Sequence, residues 1–417
     1  MLFRSVEKLD EPIVYAFHGS KYYNRTLTVT KDKLTYDNTN LSIAQFDGMT
    51  TEEALDRAAA DTSVETVNAL IAAIQVQKRD ENTDKYCVLA KAYYDALSNS
   101  DKAKVEEADY FGADTGDAAA DKEKEEARQA GTIGEKELLV VSFGTSFNDS
   151  RVKTILAVEN ALETAYPEYS VRRAFTAQII INHIAAREGY TIDNMEQALD
   201  RAVAAGVKEL VVQPTHLMHG AEYDEMCEAL AEYEDLIDTI VVAEPLLGEV
   251  GEDASVINED KAAVAQYVVA EAVAEAGYDS LDAMKEDGAA LVLMGHGTAH
   301  TAKVTYSQMT TMMGELGYDN VFIGTVEGEP EETACDVIID AVKEAGYTKV
   351  YLRPLMVVAG DHANNDMAGD DEDSWKSMFE AADLEVACEI RGLGRIADVE
   401  ALYVAHTGAA METLAAE

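Results

Sequence analysis

Three side chains in the second half of the chain have the types and placement needed to handle a divalent cation. His296 stands in Gly295-His296-Gly297-Thr298, directly after the apolar run Ala290–Met294, and His362 stands in Gly360-Asp361-His362, after Val350–Arg353 and its apolar extension. Between them Glu327 follows the run Val321–Thr325 and precedes Pro330. A histidine on a loop just past a buried strand lies at a cleft mouth rather than in a core. Two imidazoles and one carboxylate suit a borderline transition metal and leave coordination positions open. Ligand type alone allows a hydrolase, an oxygenase or a metal-insertion enzyme. The competing role for Glu327 is a first-turn acid favoured by the helix dipole, although Glu329 and Glu331 are better placed for it.

Other motifs narrow the field. Phe143-Gly144-Thr145-Ser146 ends another apolar run but has neither GxGxxG nor a Lys-Ser/Thr pair, so it does not read as a nucleotide site. Four cysteines (Cys87, Cys227, Cys335 and Cys388) lie far apart without a CxxC pair, which excludes a zinc ribbon or a disulfide-dense scaffold. The 417 residues carry 33 Lys+Arg against 79 Asp+Glu, a formal charge of −46. That balance argues against nucleic acid or an anionic lipid surface as partner. No run of about 18 apolar residues is present to span a membrane. The start, Met1-Leu-Phe-Arg-Ser, lacks the apolar stretch of a signal peptide, and a lost upstream export signal stays open.

The elements that must position these residues are legible in the spacing. From residue 137 on, short apolar runs at Leu138–Phe143, Leu210–Gln213, Ile240–Ala243, Ala290–Met294, Val321–Thr325, Val350–Arg353 and Val386–Ile390 alternate with amphipathic stretches. The latter include 193–205, 260–276, 302–315, 330–345 and 396–414. This alternation predicts parallel sheets with helices on both faces, and Gly206, Gly277, Gly317 and Gly346 are placed as left-handed helix caps. VVSFGTS (140–146) echoes LMGHGTA (293–299), and VVQPTHLMHGAEYDEM (211–226) echoes YLRPLMVVAGDHANNDM (351–367). The expected fold is α/β: two similar doubly wound parallel-sheet lobes facing a central cleft, where such sheets bind ligands.

A small α+β region precedes them. Residues 12–36 alternate as a few antiparallel strands, and 51–108 read as helices with stripes at Val64, Val67, Leu70, Ile71, Ile74 and at Val88, Leu89, Tyr93, Leu97. The expected divisions are 1–111 as an accessory region, 112–136 as a linker rich in small and charged residues, and 137–417 as the bilobal domain. On that division a fragment starting near Glu135 should fold alone. SVETVNALIAAI (63–74) and AKAYYDALSNSDKAKV (90–105) resemble small helical modules of Gram-positive cell-surface proteins. Both cytoplasmic and cell-surface locations therefore stay open.

From Glu137 to about residue 415 the chain resembles the anaerobic sirohydrochlorin cobaltochelatase (CbiK) family of class II chelatases. The resemblance rests on LLVVSFGTSFNDS (138–150), RAFTAQII (173–180), VQPTHLMHGAEYDE (212–225), PLLG (245–248), LMGHGTAH (293–300), VEGEPE (326–331), LRPLMVVAGDHANNDMAGDDEDSW (352–375) and GLGRI (392–396). It implies His296, Glu327 and His362 as the metal-binding and catalytic set, with His296 the proton acceptor. It also implies sirohydrochlorin and a divalent metal as substrates: Co²⁺ foremost, with Fe²⁺ and Ni²⁺ open, and no obligatory cofactor. The tetrapyrrole's carboxylates would be held by Gly144, Thr145, Ser146 and Thr298, with Arg353 or Lys303 as further candidates. His216, His219 and His300 are candidates for the path of the incoming metal. A homo-oligomer stays open. The residues leave two rival readings, a non-catalytic tetrapyrrole or metal scavenger at the cell surface and a two-lobed solute-binding protein.

Overall fold

The computed structural model describes residues 13–17, 23–29, 34–40, 43–107, 110–112 and 122–414. The extreme start of the chain and residues 113–121 of the expected linker lie outside them. Contacts divide the chain into two compact units, Met1–Ala113 with Gln178–Thr191, and Asp114–Ala177 with Ile192–Glu417.

The first unit opens with an antiparallel sheet of β1 (Ile13–Phe17), β2 (Tyr23–Val29) and β3 (Leu34–Asn40), in that order. Helices Val64–Ile74 and Thr83–Ala96 follow, each presenting one apolar stripe, with Leu70, Ile74, Leu89 and Tyr93 fully buried. Val88 is 46% exposed, contrary to its place in the expected stripe. Leu89, Tyr93 and Leu97 repeat at four, and a neighbour one residue away sits about a quarter-turn off that line. This core is completed by a helix from much later in the sequence. Gln178–Glu188 packs its Ala186 into the cluster, its Asn182 donates to the Ile74 carbonyl at 2.7 Å, and His183 stacks on Tyr110 at 4.1 Å.

The second unit holds two four-stranded parallel sheets of identical topology. β4 (Lys136–Ser142), β5 (Ser170–Phe175), β6 (Glu209–Pro214) and β7 (Thr239–Val242) are ordered β5-β4-β6-β7. β8 (Ala289–Gly295), β9 (Val321–Thr325), β10 (Lys349–Pro354) and β11 (Glu385–Cys388) are ordered β11-β10-β8-β9. Each lobe therefore pairs its first strand with both its second and its third, which makes a switch point there. One apolar cluster runs through both lobes, from Leu138 and Val211 to Leu291, Met309 and Tyr403. The closing helix Ala397–Leu414 returns to the first lobe, where the Tyr403 hydroxyl donates to the Thr215 carbonyl at 3.1 Å. The four expected glycine caps all have positive φ, between 75° and 86°. Among the described residues no helix is long and apolar enough to cross a membrane.

β5 was not among the expected strands because Ser-Val-Arg-Arg-Ala-Phe places two arginines at its centre. Burial of both depends on acids brought from elsewhere. Arg173 donates to Glu159 at 2.6 Å and to Glu125 at 2.8 Å, while Arg172 reaches Asp193 at 3.2 Å. Glu125 also accepts from Arg151 at 2.8 Å. It belongs to helix Lys122–Ala130, inside the stretch read as a linker. Burial alone would raise the Glu125 carboxyl, but the Arg173 and Arg151 guanidiniums hold it below its usual value.

Removing one partner of a buried ion pair costs about 3–5 kcal/mol. Glu125→Gln is therefore expected to destabilise the protein by that order in urea unfolding. By the same reasoning a fragment starting at Glu135 should unfold at lower urea than one starting at Asp114. Equal midpoints for the two fragments would make 112–136 a dispensable connector.

Glu137 gives a pH dependence of known sign. Its side chain is fully buried in β4, and burial pushes its carboxyl from 4.5 to about 7, with Arg172 opposing the shift and Asp193 adding to it. Folding thus favours the protonated form. The contribution is most favourable below about pH 4.5 and is lost as pH rises to about 7, by up to roughly 3 kcal/mol at 1.36 kcal/mol per pH unit. Glu137→Gln should flatten that decline, so its stability relative to wild type should be higher at pH 8 than at pH 5. Wild-type and variant urea midpoints running parallel across that range would contradict the assignment.

Candidate functional site

The second lobe brings the ends of β9, β8 and β10 together, and each carries one of the three expected residues on its following loop. The β8–β9 pairing continues past the strands: Val326 N–H donates to Gly295 O at 3.0 Å and Glu327 N–H to His296 O at 2.9 Å. On the other side of β8, Leu355 N–H donates to Met294 O at 2.7 Å and leads the chain toward His362. Gly297 is required between them. It has φ of +89°, and a Cβ there would lie 2.9 Å from the Glu327 Cβ and 3.1 Å from that of Thr325.

The imidazoles of His296 and His362 meet edge to face, with ring centroids 4.6 Å apart and planes at 81°. His296 Nδ1 lies 2.7 Å from Gly297 O, and because a carbonyl can only accept, Nδ1 carries the proton. His362 Nδ1 lies 2.6 Å from Asp366 Oδ2, one turn on, in a π-helical stretch Ala363–Met367. In its neutral form each ring then leaves Nε2 as the lone pair, the state a metal or a proton requires. Their surroundings are open to solvent, the His362 side chain being 40% exposed. Glu327 is exposed as well. Among the described residues no group of three His, Cys, Asp or Glu side chains is arranged to hold a metal ion. The structure thus joins the two histidines, and the Glu327 carboxylate, on the adjoining loop, does not complete a three-ligand set in this arrangement.

Asp366 was not among the residues singled out. Its signal was present as a His-x-x-x-Asp spacing, which puts the two on one face of a helical turn. Tyr306 was also missed: its buried hydroxyl accepts from Gly297 N–H at 3.1 Å, and burial pushes that hydroxyl up to about 12. It steadies the His296 loop without an ionisable contact in the neutral range.

The residues expected to hold substrate carboxylates have mixed placements. Thr145 and Ser146 are buried, at 3% and 6% exposure. The Thr145 hydroxyl accepts from Phe147 N–H at 3.2 Å, and the partly exposed Thr298 accepts from His300 N–H at 3.1 Å, so each shapes its own loop. Gly144 has φ of +99°, and a Cβ there would lie 2.5 Å from the Phe175 ring. Arg353 is not available: it is fully buried and held by Glu271 and Glu275 at 2.9 and 3.0 Å. Lys303 pairs with Glu329 at 2.7 Å. Of the histidines considered for the metal's path, His300 pairs with Asp224 at 3.1 Å and His219 with Glu244 at 2.9 Å. Both ring nitrogens of His216 are buried without a hydrogen-bond partner, and burial lowers it to about 4.

The lobes differ in chemistry where they agree in backbone. In the first, Ala177 N–H donates to Phe143 O at 3.2 Å and Thr215 N–H to Val141 O at 2.8 Å, repeating the bonds made by Glu327 and Leu355. Phe143 and Ala177 therefore stand where the second lobe has His296 and Glu327. Glu222, two residues past Gly220, stands where His362 lies two past Gly360. The facing imidazole pair is found on the second lobe, with Phe143 and Glu222 at the equivalent places of the first.

The family described as Cobalt chelatase (CbiK) matches residues 136–412. The sirohydrochlorin cobaltochelatase of Salmonella typhimurium is 35% identical over 271 residues, covering 65% of this chain and 94% of that one. The sirohydrochlorin cobaltochelatase CbiKC of Nitratidesulfovibrio vulgaris is 29% identical over 282 residues, covering 67% and 92%. Among solved structures, SirB from Bacillus subtilis with Fe3+ aligns over 67% of this chain and 97% of its own, at 15% identity and a TM-score of 0.43. The match of residues 136–412, together with a relative at 35% identity covered nearly end to end, means that this chain belongs to the cobalt chelatase (CbiK) family.

Proposed function

We propose that the protein inserts Co²⁺ into sirohydrochlorin, a step of anaerobic cobalamin biosynthesis, with His296, His362 and Glu327 as the working set. The observation that carries this reading is the pair of facing imidazoles, each with Nδ1 engaged and Nε2 free, at the switch point of a family-matched lobe. Cobalt is favoured over Fe²⁺ and Ni²⁺ by the description of the matching family and the names of both curated relatives.

Metal insertion makes three physical demands. The ion must shed water, the ring must be held out of plane, and two pyrrole protons must leave as the metal–nitrogen bonds form. Neutral imidazole serves the first and third, replacing water on a borderline ion and accepting a proton near neutral pH. His296 is the proton acceptor, and His362, oriented by Asp366, is the second nitrogen ligand. The exposed Glu327 carboxylate completes the ligand set by rotating toward the imidazoles and passes the proton outward. The loops at Gly144–Ser146 and Thr298 supply close backbone approach to the ring, since their side chains are occupied in shaping the turns. The charge of −46 raises the concentration of cations near the protein, within a screening length of about 8 Å at physiological salt.

Mixing the pure protein with sirohydrochlorin and Co²⁺ should give the absorption change of the metallated ring at a rate above the uncatalysed one. Binding of the ring without turnover would instead support the carrier reading. His296→Ala or His362→Ala should lower Co²⁺ affinity and turnover by at least about 10–100-fold. Both should leave the melting temperature nearly unchanged, because these exposed loop side chains pack little.

Glu327→Gln should reduce turnover by about 10²–10⁴-fold with sirohydrochlorin binding retained, while Glu331→Gln serves as the neutral control. Asp366→Asn, which loosens the His362 ring without touching the metal, should cost about 10–100-fold. Steady-state insertion rates beside calorimetric Co²⁺ titrations check all of these. Wild-type affinity in either histidine variant would remove that residue from the site.

A further inference from the structure

A cavity of about 190 Å³ lies between the two lobes, walled on one side by Ser150 and Lys153 and on the other by Ala359, Asn364, Arg391 and Arg395. It also touches Asp149, so its lining carries three cations and one anion, 3 − 1 = +2, in a chain of formal charge −46. The cations are not equally committed. Lys153 pairs with Asp149 at 2.6 Å one turn back on its own helix, and Arg391 pairs with Glu275. Arg395 enters no side-chain hydrogen bond or ion pair among the described residues, although Glu389 lies near enough to feel its charge. A partly buried guanidinium without a partner, on a wall shared with two further cations, is a geometry that takes an oxyanion in forked hydrogen bonds.

The cavity adjoins the metal-handling site through one loop. Ala359 and Asn364 bracket His362, and Asn364 Nδ2 donates to Gly360 O at 2.8 Å, closing the loop between them. From the opposite lobe Ser150 Oγ accepts from Ala359 N–H at 2.8 Å. Asn364 is two residues from His362, at most about 7 Å of extended chain. A ring lying over the two imidazoles has its acid-bearing rim at that range. Of the groups first expected to hold those acids, Thr145 and Ser146 are buried, Thr298 shapes its own turn, Lys303 is paired with Glu329, and Arg353 is spent on Glu271 and Glu275.

We propose that this cavity is a carboxylate subsite in which Arg395, assisted by Lys153 and Arg391, receives an acid arm of the tetrapyrrole and so sets its orientation over His296 and His362. The proposal rests on the chelatase reading above. Arg395 is a binding residue here, remote from the metal–nitrogen chemistry.

The test measures equilibrium binding of metal-free sirohydrochlorin by its absorption, together with kcat and KM for Co²⁺ insertion, in wild type, Arg395→Gln, Arg395→Lys and Lys153→Gln. Lys285→Gln, at a surface pair with Asp319, is the control. Arg395→Gln and Lys153→Gln should each weaken sirohydrochlorin binding and raise KM by tenfold or more, with kcat and Co²⁺ affinity within twofold of wild type. Arg395→Lys should recover part of the loss, and the difference from wild type should shrink as salt is raised. Lys153 is half exposed, so its variant carries the test if Arg395→Gln fails to fold.

Unchanged sirohydrochlorin binding in both variants would overturn the subsite. Loss of malonate binding by calorimetry in Arg395→Gln, with sirohydrochlorin binding intact, would make the cavity a site for free anions and overturn it equally. A wild-type protein that inserts no metal would sink the chelatase reading itself, an outcome the variants cannot mimic.

Discussion

The bond from Glu327 N–H to the His296 carbonyl carries the β8–β9 ladder one residue beyond the sheet, and the site depends on that continuation. It forces two loops to leave their strands side by side, which sets the backbone of Glu327 beside that of His296. The approach is close enough that only glycine fits at position 297, and the buried Tyr306 hydroxyl takes the amide that this turn would otherwise leave unpaired. A parallel sheet ends its strands together at one edge, and a strand order that reverses there opens a gap between the first and third loops. His296 and His362 sit on the two sides of that gap. Their distance is thus set by strand spacing and backbone hydrogen bonds rather than by any direct bond between them.

The same backbone device occurs in both lobes, with different cargo. Phe143 and Ala177 occupy the places of His296 and Glu327 while making equivalent main-chain bonds. Duplicated backbone geometry with unlike side chains places imidazoles at the strand ends of one lobe and an apolar ring and a methyl group at the equivalent ends of the other. That asymmetry suits a reaction in which a flat ring must present one face to an incoming ion.

Charge is distributed with a comparable division of labour. The excess of acids is mostly solvated surface, and its long-range effect is to favour cations. Inside the first lobe the arginines of β5 are buried against Glu125, Glu159 and Asp193, where unpaired guanidiniums would be costly. Between the lobes, cations gather around one cavity in a molecule that otherwise repels anions. An acidic protein that must bind a polycarboxylate needs such a local inversion, because screening removes the general repulsion only beyond about a Debye length.

The sequence by itself determined the alternation of strand and helix after residue 137, the doubling of the lobes and the positions of His296, Glu327 and His362 at strand ends. Those are properties of local periodicity and of motifs contiguous in the chain, and the family resemblance rests on the same contiguous motifs. The left-handed caps at Gly206, Gly277, Gly317 and Gly346 were legible for the same reason, since a cap is a local demand on φ. Only the tertiary structure decided what depends on partners distant in sequence. Arg172 and Arg173 make β5 look like a polar loop until Glu125 and Glu159 are seen beside them. Arg353 looks like a substrate contact until Glu271 and Glu275 enclose it. The helix Gln178–Glu188 reads as part of the α/β domain, yet its Ala186 and Asn182 complete the core of the first unit, because burial follows contacts in space and not order along the chain. The pairing of His362 with Asp366 falls between the two: its spacing was in the sequence, but that the ring so held meets His296 edge to face is set by the fold.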